Sequence, residues 1–275
     1  MKRNSTALLI STFLLFAISL AAQDFDDQTP VKKVQKKTDS PKKTEEVKTP
    51  EPATETITPE ASKPLEESAP DKKNLYPGLS EDEAFEELLK NIRAGNLDRV
   101  DSLISSFPKL LDKQDKFGHT PVFIAVSANQ YQIVETLVKM KADIRLANIY
   151  GDTPFHKAAQ SGEIKTLELL LKSGALIWKT NVKEESPLAK AVSAGQLEAV
   201  KFLIKNKAEL NTPDYKGDTP LHKAAVKGDK DVVKLLLESG ADAGIKNKEK
   251  MKAADLAKKS EIKEMIEAKD PELKK

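Results

Sequence analysis

The stretch G-D-T-P-L-H-K-A-A, from Gly217 to Ala225, decides how the rest of the chain is read. Its Thr-Pro pair starts a helix, because the hydroxyl caps open backbone N–H groups and proline suits the first helical position. The phrase also occurs as G-H-T-P-V-F-I-A-V from Gly118, G-D-T-P-F-H-K-A-A from Gly151 and E-E-S-P-L-A-K-A-V from Glu184. The hydroxyl residues are Thr120, Thr153, Ser186 and Thr219, so each step is 33 residues. One more step lands on K-A-A-D-L-A from Lys252, a degenerate final copy. A second phrase keeps the same beat, as in A-N-Q-Y-Q-I-V-E-T-L-V, S-G-E-I-K-T-L-E-L-L-L, A-G-Q-L-E-A-V-K-F-L-I and K-G-D-K-D-V-V-K-L-L-L.

Each unit therefore predicts two short helices. The alanines of the first permit close packing, and Gly162, Gly195 and Gly228 break and reverse the chain. The second carries an apolar stripe at helical spacing, such as Ile164, Leu167, Leu170 and Leu171. One helix pair cannot bury both of its faces, so neighbouring pairs must stack into a continuous core. The period and the T-P-L-H-x-A phrase closely resemble the ankyrin repeat family, over about residues 80–269.

That resemblance implies an all-α solenoid of helix-turn-helix units joined by hairpin loops, with about five repeats and a partial C-terminal cap. The segment L-S-E-D-E-A-F-E-E-L-L-K-N-I-R-A-G-N lacks Thr-Pro and suits a first repeat with a polar outer face. Spacing to the next copy is one residue longer, a surplus assigned to Phe107 and Pro108. The resemblance also implies hydrogen bonds from His156 and His222 to the side chains of Thr153 and Thr219. It implies binding of a protein partner through a concave face flanked by hairpin tips, without turnover.

Outside the array the chain changes character. Residues 1–22 read as a secretory signal: Lys2 and Arg3, then an uncharged apolar run from Ala7 to Leu20, then Ala21 and Ala22 ahead of Asp24. Cleavage after either alanine fits, and an uncleaved anchor is the alternative. Export without cysteine points to a bacterial envelope, hence a periplasmic or secreted protein. Residues 23–79, rich in Pro, Lys and Glu, hold eight prolines and few large apolar side chains, the composition of a disordered linker. Residues 270–275 form a short tail.

Composition narrows the chemistry. The chain has 275 residues and no cysteine, which excludes disulfides, thiolate metal sites and a cysteine nucleophile. Lys2 and Arg3 account for the whole formal charge of +2, so the exported chain is neutral and no nucleic-acid partner is expected. No catalytic motif, cofactor site or metal site is found; a monomer without stable membrane insertion after cleavage is expected. The expected role is a non-enzymatic scaffold in the cell envelope; the alternatives are a membrane-anchored structural protein and a secreted effector acting on host proteins.

Candidate partner-binding residues sit in the loops. Phe117, Tyr150 and Tyr215 are read as one aromatic position recurring in three copies, with Lys183 in its place in another. These rings either anchor a partner or pack between hairpins. Beside them lie His119, Asp152, Glu185 and Asp218, varied enough to suggest a surface rather than a folding role. Ser127, Gln160, Ser161, Val226 and Lys227 of the first helices should face the same groove. Trp178, the sole tryptophan, stands where the family usually has a small polar residue, either as an exposed anchor or as a filler.

Overall fold

The computed structural model describes residues 76–270. The signal segment, the linker up to residue 75 and residues 271–275 lie outside the described residues. Among the described residues there are eleven α-helices and no strand. They pair as α1 (Glu81–Ala94) with α2 (Leu97–Ser106), α3 (Pro121–Ser127) with α4 (Tyr131–Lys139), and α5 (Pro154–Ser161) with α6 (Ile164–Lys172). The series continues with α7 (Pro187–Ala194) and α8 (Leu197–Lys205), then α9 (Pro220–Lys227) and α10 (Lys230–Glu238). A 3-10 turn at Ala253–Leu256 and α11 (Ser260–Glu267) form the partial cap.

Capping chemistry sets the helix starts. Thr120 Oγ1 accepts from Phe123 N–H at 3.3 Å and Ser186 Oγ from Ala189 N–H at 3.2 Å, with proline at the first helical position of both. Ser80 starts α1 differently, exchanging bonds with Glu83 in a capping box, and the acids Glu81, Asp82 and Glu83 favour the positive end of that helix. Lys252 has neither hydroxyl nor following proline, and only a 3-10 turn forms there. The surplus residue before α3 is taken up where expected: α2 stops at Ser106 and a 3-10 turn runs Pro108–Asp112.

The first helices (α1, α3, α5, α7, α9) pack against one another more extensively than the second helices do. The physical reason is side-chain size. Ala125, Ala158, Ala159, Ala191, Ala224 and Ala225 are fully buried and let the first helices approach closely. The second helices meet through larger side chains such as Leu167, Leu170, Leu203 and Leu236. The first-helix side is therefore the inside of the curve. One apolar core runs from Phe85 in α1 to Ile266 in α11, as stacking of repeats requires.

One turn glycine shows how tightly neighbouring repeats dock. Gly162 ends α5 with φ 77, and a Cβ there would lie 2.5 Å from Gln196 Oε1 of the next repeat. The left-handed backbone disfavours a side chain there, although Asn129 adopts it one repeat earlier, and a Cβ would require the Gln196 side chain to shift.

Candidate functional site

The candidate surface is built from the loops that lead into the first helices, and one acidic or amide residue shapes each of them. Asp115, Asn148, Asn181, Asp214 and Asn247, again 33 apart, each use Oδ1 to accept the backbone N–H groups two and four residues on, at 2.8–3.1 Å. Such Asx bonding makes a tight projecting tip. Neighbouring tips are laced together: Ile149 N–H donates to Phe117 O, Val182 to Tyr150 O, Tyr215 to Lys183 O and Lys248 to Lys216 O, all at 3.0 Å.

This lacing corrects the aromatic ladder read from the sequence. Counted from the shaping residue, Phe117 and Tyr150 share their position with Lys183 and Lys216. Tyr215 stands one place earlier, in the column of Lys116, Ile149, Val182 and Lys248. The third residue before Thr219 is Lys216, so Tyr215 belongs to the other column. The tips instead carry two interleaved columns.

Neither column is packed away between hairpins. Tyr150 is 58% exposed and Val182 72%, and Phe117, Ile149 and Tyr215 are exposed with them. Lys116 Nζ lies 5.1 Å from the Phe117 ring centroid and Lys216 Nζ 5.7 Å from that of Tyr215. The result is an apolar strip edged with ammonium groups. Val182 escaped the sequence reading because only the register between tips sets it beside Ile149 and Tyr150.

Behind the tips runs a charged row with a different use. Asp152 binds Lys190 Nζ at 3.1 Å and Asn181 Nδ2 at 2.8 Å, both from the following repeat. Glu185 binds Lys223 Nζ at 3.0 Å in the same way, and Asp218 binds Asn247 Nδ2 at 2.7 Å. Asp152, Glu185 and Asp218 thus pair between repeats, a folding role the sequence reading did not give them. Lys223 also reaches Asp214 at 2.6 Å. Burial alone would raise the Asp214 carboxyl, but the bonds from Lys223 and two backbone N–H groups hold it below the usual range. Burial likewise disfavours the charged Lys223, and its two carboxylate partners outweigh that and raise it.

His119 opens this row without a carboxylate. Its Nδ1 meets Asp115 Oδ2 at 3.0 Å, and its ring stacks on Phe123 at 4.7 Å. Between the second and third tips, Ile149, Tyr150, Val182, Asp152, Glu185 and Lys190 line an open recess of about 270 Å³.

The histidines inside the helices are structural. Thr153 N–H donates to His156 Nδ1 at 3.2 Å and Thr219 N–H to His222 Nδ1 at 3.2 Å, with the hydroxyls at 2.9 and 2.8 Å. An accepting Nδ1 puts the ring proton on Nε2. His222 Nε2 donates it to Met251 O at 3.1 Å, whereas His156 Nε2 is buried and, among the described residues, has no partner at hydrogen-bond geometry, with the backbone of Lys179 and Glu185 near it. Burial, partly opposed by Asp152, drives the His156 pKa down to about 4. Trp178 is 62% exposed in the turn after α6 and makes no ring contact with the tip residues. Ser127, Gln160, Ser161, Val226 and Lys227 are exposed at the ends of the first helices. Among the described residues no group of acidic or histidine side chains is placed to hold a metal ion, and no helix is long and apolar enough to cross a membrane.

Comparison with known families agrees with this geometry. The family described as ankyrin repeats (3 copies) matches residues 88–181 and 176–247, together more than half of the chain. No curated protein matches the chain. Ankyrin repeats generally mediate protein–protein interaction and are typically non-enzymatic. The period, the stacked helix pairs and the family match converge: the chain belongs to the ankyrin-repeat family.

Proposed function

We propose that this chain is a non-enzymatic scaffold, exported to the periplasm or beyond, that holds a protein partner against its hairpin tips and the adjoining ends of its first helices. The observation that carries the reading is the continuous exposed strip formed by Phe117, Ile149, Tyr150, Val182 and Tyr215. Contiguous exposed apolar side chains edged by polar ones mark interaction surfaces. Aromatic residues commonly anchor such interfaces. The partner site comprises Phe117, His119, Tyr150, Lys183 and Tyr215, with Ile149 and Val182 added from the register of the tips. Asp152, Glu185 and Asp218 support that site from behind, and Trp178 is a separate contact point. Binding of this kind needs surface complementarity on a rigid support and no cofactor. Export rests on the order of basic, apolar, small and acidic residues from Lys2 to Asp24.

Affinity capture from an envelope extract of the source cell, followed by mass spectrometry, tests the reading. Alanine at Phe117, Tyr150 and Tyr215 together should abolish capture of a partner that the unaltered chain retains. Equal capture by the two sinks the surface assignment. N-terminal sequencing of the mature protein tests export, with a first residue of Ala22 or Gln23 expected.

A further inference from the structure

The inner charged row is paired at its two middle rungs and open at both ends: Asp218 has Leu256 rather than a lysine at the same spacing, and the first rung has a lysine without a carboxylate. Lys190 reaches back to Asp152 and Lys223 reaches back to Glu185, each to a residue 38 positions earlier in the preceding repeat. Lys157 is the equivalent lysine of α5, and the same reach leads it to His119. A histidine whose Nδ1 is committed to Asp115 supplies no carboxylate. Lys157 is half-buried, its backbone N–H donates to Thr153 O, and its ammonium forms no ion pair or hydrogen bond among the described residues. Its field is felt at Glu163, without a bond between them. The first rung of the row therefore lacks its anion.

The tips add to that positive field. Lys116, Lys183, Lys216, Lys248 and Lys250 are exposed along them, against Glu184 and Glu249. One repeat beyond the incomplete rung lies the recess lined by Tyr150, Val182 and Ile149. Packed helices stand about 8–10 Å apart, which sets the step from one rung to the next. A polyproline-type segment rises about 3.1 Å per residue with three residues per turn, so residues three apart share a face at about 9 Å.

From this geometry, and resting on the scaffold reading above, we propose that the partner enters as an extended acidic segment. One of its carboxylates completes the rung at Lys157 beside His119, and an apolar side chain three residues away enters the recess between Tyr150 and Val182. A flat anionic lipid surface fits less well, because Lys157 stands half-buried behind the tips.

The test is selection from a random displayed peptide library on the full-length chain, with parallel selections on Lys157→Gln and His119→Asp. The second substitution supplies the missing carboxylate internally, and Asp214 with Asp218 shows that such a loop accommodates two acids. The unaltered chain should enrich peptides with Asp or Glu three positions from an aliphatic or aromatic residue. Both variants should lose that enrichment and bind a selected peptide about tenfold more weakly, while thermal melts verify that they fold. A pool without acidic enrichment, or enrichment that survives both substitutions, overturns the proposal. So does sedimentation of the chain with phosphatidylglycerol vesicles that a selected peptide fails to reverse. If envelope capture depends on the tip residues but not on Lys157, the acidic-segment assignment fails while the scaffold reading stands.

Discussion

The tip columns and the row behind them descend from the same loops, yet they spend their side chains differently. Asp152, Glu185 and Asp218 each hold a group from the following repeat. Tyr150 and Val182, a few residues away, bury less than half of their surface. The backbone of a tip is fixed by its Asx bonds and its bond to the next tip, so the tip side chains are released from structural duty. The lesson is that variability within one loop does not by itself mark a binding surface. In the inner row the side chains have partners inside the fold; at the tips they are left in water.

The most demanding test of the buried side of this contrast is acid. His156 has an ordinary pKa near 6.5 and a folded value of about 4. Between those values the unfolded chain takes up a proton that the folded chain refuses, so the stabilisation is complete above pH 6.5 and declines as pH falls toward 4. The expected loss between pH 7 and pH 4 is about 3 kcal/mol. Denaturant titrations at the two pH values measure it, and His156→Gln should remove most of the difference. An unchanged pH dependence in that variant would place the sensitivity elsewhere.

Next in size is the inner row. Asp152→Ala strips a carboxylate from Lys190, whose side chain is only 15% exposed, and leaves the Asn181 amide with only its longer bond to Glu185. A cost of about 2 kcal/mol is expected, between that of an exposed and a fully buried pair. Lys190→Met should recover part of it in the Asp152→Ala background, because the stranded charge is then gone. A double-mutant cycle followed by urea unfolding reads the coupling directly.

Much of this was legible in the sequence and some was not. Thr-Pro, the turn glycines and the 33-residue step announce the helix pairs because capping and chain reversal are local events. The bonds of His156 and His222 to their threonines were reachable for the same reason, with both partners three residues apart. The reach of Lys190 to Asp152 was not, since it depends on how closely α5 and α7 approach. Tyr215 was misplaced for a different cause, a one-residue count that the sequence itself corrects: it stands four residues before Thr219, whereas Phe117 and Tyr150 stand three before Thr120 and Thr153. The orphaned Nε2 of His156 has no sequence signal at all, because the phrase around His222 is nearly identical and its Nε2 is satisfied.

Within the tips themselves Glu184 is expected to respond to substitution, as is Lys250, with φ 63 at the equivalent place. Glu184 has φ 58 at a place where Gly118, Gly151 and Gly217 adopt similar angles. A side chain in that left-handed region costs about 1 kcal/mol, so Glu184→Gly should stabilise the chain by up to that amount. Glycine's greater freedom in the unfolded chain subtracts from the gain. A melting temperature that falls on this substitution would show that Glu184 makes a compensating contact.

The smallest effect on stability is the one that separates the two surfaces most sharply. Tyr150→Ser and Val182→Ser alter side chains that are mostly in water, so each should change unfolding free energy by no more than about 0.5 kcal/mol. Capture of the partner should nevertheless drop, since these two residues flank the recess. The inner-row variant Asp152→Ala reverses the order, losing stability first and binding only through the shifted tip. A Tyr150→Ser chain that melts several degrees early would mean that its ring braces the neighbouring hairpin. The division between tip and inner row would then be one of degree.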